Sequence, residues 1–485
     1  MLPVTLEGVR STRQPLIALA LCAVTLAGCA EEPTVIQGRA VSMRYDPNRV
    51  AGLPADDGPS GALVREAPST SRVENSDGGA IDQLAMLAVE DVEDYWDQHY
   101  TGSLPGRFSP VSGLVSMDPE TSYPEVCNSS PSEFAFNAAY CVPEDVIAWD
   151  RVGLLPTAQQ YFGELSVNGL LAHEYGHALQ HKAGLVDRNT PTLVSEQQAD
   201  CFSGAYLRWV AEGDSPRFTI NTTEALDKVL AGAIAIRDRP PSISIPFLEI
   251  EASHGTALDR VGAFQQGFDI GPASCAGIDM ADIRQRRGGI PASLFDPSSP
   301  SSDMGITPQM LSSTVDVLNQ IFTPANPPTI EFGPSCATGP AAYCPETNTI
   351  GVDVGALAQI GTPADESQRV LLQGDNSAIS VVTSRYVLAL QQQQGAQIEG
   401  ETAAMRTACL TGVAQSRMAD PSASNNQLVL SAGDLDEAVS GLLTNGIVAS
   451  DVNAMTVPSG FTRILAFRSG LAGDLERCYE RFPDQ

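Results

Sequence analysis

His173, Glu174 and His177 form the spacing H-E-x-x-H inside the apolar-periodic run from Leu170 to Gln180. On a helix, positions i and i+4 share one face about 6 Å apart, so two imidazoles can reach one zinc ion at roughly 2.0–2.1 Å each. Glu174 then stands beside the metal, where its carboxylate can take a proton from a metal-acidified water. A tetrahedral site needs a third ligand from elsewhere in the chain, and Glu196 is the candidate. It lies 19 residues past His177, in Ser195-Glu196-Gln197-Gln198-Ala199-Asp200. The E-x-x-x-D spacing stacks Glu196 and Asp200 on one face of a second helix. Glu196 is assigned to zinc, and Asp200 to the second ring N–H of a ligand histidine, which fixes its tautomer. His181 is the rival third ligand, but its distance of about 12 Å along the helix axis from His173 is too long for one tetrahedral ion. The alternative to all of this is a chance match on a helix with two surface histidines. With five His in 485 residues and the added E-x-x-x-D, that alternative is the weaker one.

These residues, with Gln180 and the continuation Cys201-Phe202-Ser203-Gly204, resemble the bacterial neutral zinc metallopeptidases, a gluzincin-like group. Tyr140-Cys141-Val142-Pro143 ahead of a short strand, and His254-Gly255-Thr256 leading to Arg260 and Phe264, extend the resemblance over roughly residues 81 to 275. It implies a zinc-dependent peptidase. The longer metzincin motif is absent, because Gln180 replaces its glycine and Ala183 its last histidine. His254 has two readings of equal weight: a catalytic hydrogen-bond donor to the oxyanion of a tetrahedral intermediate, or a polar turn residue capping the helix that carries Arg260. His99 and His181 read as surface residues.

The elements that must position this chemistry can be read from periodicity. Ile81 to Tyr100, with Leu84, Leu87, Val89, Val92 and Trp96 among acids, reads as an amphipathic helix opening the folded part. The zinc helix is expected from near Ser166 to His181, ended by Gly184. A second helix over Glu196 to Val210 buries Ala199, Phe202, Tyr206 and Trp209, and a third follows over Thr223 to Arg237. Val146-Ile147-Ala148-Trp149 reads as a strand. By resemblance it runs along the cleft, as a free edge that pairs with an extended peptide; the other reading is an internal strand with Trp149 in the core.

The net charge of −30 and the presence of only two lysines, Lys182 and Lys228, argue against a nucleic-acid partner. The acidic surface reads as solubility outside the cell. Residues 1–29 read as a targeting segment ending Leu26-Ala27-Gly28-Cys29. That ending resembles a bacterial lipobox, which implies a lipidated Cys29 and a membrane-anchored protein on the extracytoplasmic face; a short transmembrane anchor and a cleaved signal are the alternatives. Residues 30–80, rich in Pro, Gly, Ser and acids, read as a flexible tether.

Ten cysteines are present. Cys22 lies in the targeting segment and Cys29 at its end, which leaves eight, an even number that favours disulfides in a secreted context. Cys201 as a nucleophile or zinc ligand is a rival reading. The second half repeats the first in degraded form. Cys127, Tyr140, Cys141 and Asp150 return as Cys336, Tyr343, Cys344 and Asp353; Cys201, Arg260, Gly267 and Cys275 return as Cys409, Arg463, Gly470 and Cys478. Pairing by equivalent position gives Cys127–Cys141, Cys201–Cys275, Cys336–Cys344 and Cys409–Cys478. Alignment on the shared Tyr and Ala-Leu-Gln places Ser384, Arg385 and Leu388 at His173, Glu174 and His177, and Ala404 and Ala408 at Glu196 and Asp200. The expected fold is therefore α+β in two tandem zincin-like lobes, the second lacking the metal site. Residues 81–290 form the metallopeptidase domain, 291–304 a linker through Pro297 to Ser302, and 305–485 the degenerate repeat. The expected function is a membrane-anchored zinc metallopeptidase acting on peptide or protein substrates, and the alternative is a non-catalytic, zinc-stabilised lipoprotein that binds a peptide or envelope ligand.

Overall fold

The computed structural model describes residues 34–36, 39–41, 45–63, 70–121, 123–235, 255–288, 290, 304–333, 336, 339–363, 371, 373–420, 428–430 and 432–484. The targeting segment with Cys29, the Pro297–Ser302 linker and His254 lie outside the described residues. Within them the chain is mixed α and β, as expected. No described helix is long and apolar enough to cross a membrane.

Five short strands come first: β1 (Thr34–Ile36), β2 (Arg39–Val41), β3 (Arg49–Val50), β4 (Leu53–Pro54) and β5 (Gly61–Ala62). The first half continues with β6 (Val73–Glu74), α1 (Ala80–His99), β7 (Gly113–Met117), β8 (Ala138–Cys141), β9 (Val146–Asp150), α2 (Leu154–Phe162), α3 (Glu164–Ala183) and α4 (Thr192–Ala211). It closes with β10 (Phe218–Thr219), α5 (Glu224–Ala235), α6 (Ala257–Ile270), α7 (Pro272–Cys275) and α8 (Met280–Arg287). The second half holds α9 (Pro308–Phe322), β11 (Thr329–Phe332), β12 (Ala341–Cys344), β13 (Thr349–Val352), α10 (Val354–Ile360), α11 (Asp375–Gln393), α12 (Glu401–Met418), α13 (Ala432–Thr444), α14 (Gly460–Leu471) and α15 (Leu475–Arg481).

The helices follow the apolar periodicity. Helix α1 buries Leu84, Leu87, Val89, Val92 and Trp96, and α3 ends at Gly184, whose φ of 67° supplies the left-handed turn that a side chain would resist. Two expectations change. Residues 45–63 and 70–79 are not a loose tether but are folded onto the body, with Val50, Ala51 and Val73 buried. Asn221 donates to the Gly58 carbonyl, Thr222 to that of Pro54, and β5 pairs with β10. Backbone pairing of this kind requires no apolar periodicity, so composition alone misreads it. The run Val146–Trp149 is internal: β9 lies between parallel β7 and antiparallel β8, and Trp149 is fully buried with its indole N–H donated to Asp82. The sheet runs β6–β7–β9–β8, so β6 and β8 are its edge strands. His99 is half-buried, stacked on Tyr95, rather than a free surface residue.

The sheets β7–β9–β8 and β11–β13–β12 share one strand order and one mixture of parallel and antiparallel pairs. The four expected cysteine pairs stand at disulfide-bonding distance, with Cα–Cα separations of 5.0, 5.4, 5.8 and 5.7 Å in chain order. The two halves meet through α5, α6, α13 and α14, and each caps a helix of the other. Asp227 of α5 accepts the N–H groups of Gly460 and Phe461 at the start of α14, while Asp436 of α13 accepts the N–H of Ala257 at the start of α6. Helix N-termini leave such donors unsatisfied and carry partial positive charge, so a carboxylate is the group that suits them. Asp227→Ala should therefore lower unfolding stability by about 1–3 kcal/mol. Burial, against the pull of Arg463 and the two N–H groups, pushes the Asp227 carboxyl up to about 7. The native chain keeps a proton that unfolded Asp, with a pKa of about 3.9, gives up, so this group subtracts stability as pH rises from about 4 to about 7. Urea titrations should show the wild type losing more stability across that window than Asp227→Asn; parallel pH profiles would refute the assignment.

Candidate metal centre

Helix α3 crosses α4 at close range because position 176 is glycine. A Cβ there would come within 2.9 Å of the Ala199 Cα, a distance that real Cβ atoms do not reach. That crossing brings Glu196 over the histidine pair. His173 Nε2 lies 3.3 Å from Glu196 Oε2, and His177 Nε2 lies 3.4 Å from Glu196 Oε1. Ligand bonds of about 2.0–2.1 Å in a tetrahedron require ligand–ligand edges of about 3.3–3.4 Å, and each imidazole stands at that distance from a different oxygen of Glu196. The three residues form a group whose donor atoms all lie within 4.8 Å of one another. His173, Glu174 and Glu196 are buried and His177 is nearly so. A neutral imidazole pair with one carboxylate suits zinc and leaves the fourth position to solvent or substrate.

The two histidines and Glu174 are held from behind. His173 Nδ1 donates to Asp200 Oδ1 at 2.8 Å, as the E-x-x-x-D spacing predicts, and the same oxygen accepts Arg260 Nη2 at 2.7 Å. His177 Nδ1 faces Gln180 Oε1 at 3.0 Å; Gln180 donates to the Ser195 carbonyl at 2.5 Å and accepts the Ser195 hydroxyl at 3.0 Å. Glu174 Oε2 accepts the N–H of Tyr140 from the edge strand β8 at 3.1 Å. Arg260, Gln180, Ser195 and the Tyr140 N–H are supports that spacing did not assign. Arg260 and Gln180 could have been singled out as polar residues in otherwise apolar helix faces, but a backbone N–H carries no sequence signal. His181 is exposed, its ring 6.0 Å from that of Tyr140, and belongs to no metal-binding group among the described residues. Cys201 is paired with Cys275 and is not available as a ligand.

The electrostatics of the metal-free site follow from burial and proximity. Burial alone would lower the His173 pKa, but Asp200 and Glu196 outweigh it and raise it to about 10. Burial and neighbouring His173 lower His177 to about 4. Burial opposes ionisation of Glu196, yet the two histidines and Arg260 hold it well below the usual carboxylate range. Glu174 is pushed up to about 7, chiefly by burial. Beside the centre lies a cavity of about 100 Å³, with Leu154, Phe162, Val229 and Phe264 in its walls together with His173 and Arg260.

A second group, Asp375, Asp434 and Glu437, also brings three acidic side chains within 4.8 Å. Two of its oxygens accept backbone N–H groups, Asp375 that of Met304 and Glu437 that of Asn376. At the positions aligned with Glu174 and His173, Arg385 donates to the Ile447 and Asp451 carbonyls and to Ser450, and Ser384 to the carbonyl of Val381.

No family model, curated protein or solved structure matches this chain.

Zinc titration of single variants checks the ligand set. Glu196→Ala should lose affinity by more than the roughly 10–100-fold expected for the supporting change Asp200→Asn, whereas His181→Ala should leave it unchanged. The reverse ranking of Glu196 and His181 would show the third ligand to be misassigned.

Proposed function

We propose that the chain is a membrane-anchored, extracytoplasmic zinc metallopeptidase. The observation that carries the reading is that Glu174 stands next to the His173–His177–Glu196 donor set without belonging to it, held by the edge strand. A purely structural zinc site would be closed by a fourth protein ligand.

His173, His177 and Glu196 would hold the ion, which when bound acidifies a water and polarises the scissile carbonyl. Asp200, fixed by Arg260, keeps the proton on His173 Nδ1 so that Nε2 faces the ion site with its lone pair. Gln180 does the same for His177. The Tyr140 N–H fixes one oxygen of Glu174 and leaves the other to take a proton and return it to the leaving amine. Burial keeps that carboxylate's proton affinity near neutrality, where a general base exchanges protons most effectively. Strand β8 bonds to β9 on one side only, so its other edge offers main-chain groups to an extended peptide next to Glu174. The apolar cavity beside His173 suits an apolar side chain of that peptide. The lipid anchor at Cys29 belongs to the same proposal, on the strength of the lipobox resemblance.

We read the second half as a degenerate copy of the first. The segment Ala-Ala-Tyr-Cys occupies the edge strand in both sheets, and its register with the central strand is the same: Ala138 faces Trp149 and Cys141 faces Val146, while Ala341 faces Val352 and Cys344 faces Thr349. A Cβ on Gly267 would meet the Cys201 carbonyl oxygen at 1.8 Å, and one on Gly470 would meet that of Cys409 at the same 1.8 Å. With Arg385, Leu388 and Ala404 in place of the base and two ligands, this half would bind no zinc and would support the first or shape access to its cleft.

Glu174→Gln should retain one zinc per chain and lose peptide hydrolysis by several orders of magnitude, measured by metal analysis and digestion of a peptide library. Unchanged turnover would overturn the mechanism. A wild type that binds peptides but cuts none would favour a binding lipoprotein instead, and a second zinc per chain would overturn the degenerate-copy reading.

A further inference from the structure

The cavity of about 100 Å³ beside His173 has Leu154, Phe162, Val229 and Phe264 in its walls, and Asp200 and Arg260 line it as well. Those two side chains are 4% and 1% exposed. One hydrogen bond joins them, from Arg260 Nη2 to Asp200 Oδ1 at 2.7 Å, where a guanidinium and a carboxylate set fork to fork would make two. The other members of the two forks, Arg260 Nε and Asp200 Oδ2, are buried and meet no hydrogen-bond partner among the described residues. One is a donor and the other an acceptor. A folded chain rarely leaves such atoms unpaired, so a group that enters the cavity is the candidate partner for both.

A group that answers both atoms must accept from Nε and donate to Oδ2. A carboxamide does so with its oxygen and its NH2 group. A carboxylate has no hydrogen for Oδ2 and repels it, an ammonium has no acceptor for Nε, and a hydrocarbon leaves both atoms dry and unpaired. A hydroxyl has both functions, but the apolar walls call for methylenes that serine and threonine lack. An engineered cavity of about 150 Å³ holds benzene, so the smaller volume here suits a slender chain rather than a ring. Gly232 of α5 keeps that space open, since a Cβ there would stand 3.5 Å from Ser166 Cβ and 3.7 Å from the Phe162 ring. Two methylenes ending in a carboxamide, the side chain of glutamine, match both the walls and the polar pair.

We propose that this cavity is a specificity pocket for a glutamine side chain next to the scissile bond, recognised by Arg260 and Asp200. The proposal rests on the peptidase reading, which places a peptide between β8 and the metal centre. It adds to the apolar walls a requirement that a plain hydrocarbon side chain does not meet.

The test uses the full chain with zinc and matched peptides that differ at one position: glutamine, its isostere glutamate, the similarly long methionine, and phenylalanine. The wild type should cut beside glutamine with kcat/KM about tenfold or more above methionine, and further above glutamate and phenylalanine. Mass spectrometry should find the glutamine on the same side of the cut in every product. Calorimetric titration of Glu174→Gln, which should bind without cutting, should rank the four peptides in the same order. Gly232→Leu, which fills the cavity, should remove the advantage of glutamine over methionine while zinc stays at one per chain. If that variant does not fold, the ranking of peptides on the unaltered cavity decides alone. Equal affinities for the glutamine and methionine peptides would mean that water pairs the two atoms, and would overturn the proposal whatever is cut. A chain that cuts nothing yet prefers glutamine in binding would sink the peptidase reading and keep the pocket. One that cuts freely without that preference would sink the pocket and keep the peptidase, and one that neither cuts nor binds would overturn both.

Discussion

One buried oxygen ties the metal centre to the fold. Asp200 Oδ1 accepts from His173 on α3 and from Arg260 on α6, and Asp200 itself rides on α4. All three groups are almost without solvent contact. A carboxylate taken out of water is costly unless charged partners and hydrogen bonds surround it, and removal of one partner leaves an uncompensated charge. The three helices are therefore held to one relative placement, and that placement sets the distance from Glu196 to the two imidazoles. The chemistry of the site and the packing of the helices are thus one constraint rather than two.

The second half holds no such constraint at the aligned positions. Ala408 lies at the position aligned with Asp200, so Arg463, aligned with Arg260, finds no carboxylate at that place. It turns instead to the carbonyls of Val457, Pro458 and Leu442. Arg385 likewise satisfies itself on carbonyls and Ser450, and desolvation holds its pKa down to about 10. A buried guanidinium can be accommodated by backbone acceptors, so the helical frame persists without the ionic centre.

The contact between halves has its own logic. Asp227 of α5 and Asp436 of α13 each reach across to the N-terminus of a helix in the other half. Gln265 and Arg468 bond to each other across α6 and α14, at positions that correspond when Arg260 is aligned with Arg463. On the duplication proposed above, a contact in which aligned residues meet, and in which each side caps the other, has the form of an isologous interface folded into one chain.

Much of the centre was legible in the sequence. The H-E-x-x-H and E-x-x-x-D spacings reduce to helix geometry, because residues three and four apart share a face in any α-helix. The apolar periodicity of α1, α3 and α4 reports burial of those faces. Cysteine positions and the repeated Tyr-Cys pair, Tyr140-Cys141 and Tyr343-Cys344, pointed to the pairings. Other features were not legible, because they depend on groups that have no residue identity or on contacts remote in the chain. The Tyr140 N–H on Glu174 is a backbone donor. The segment before α1 is held by main-chain pairing that polar composition conceals, and Trp149 was equally compatible with an edge or an internal strand until β7 and β8 flanked it. The sequence by itself determined which atoms can bind a metal and which carboxylate stands beside them, since local spacing sets both. Only the tertiary structure decided that Glu196 reaches both imidazoles and that Arg260 secures Asp200, because each depends on how separate helices cross.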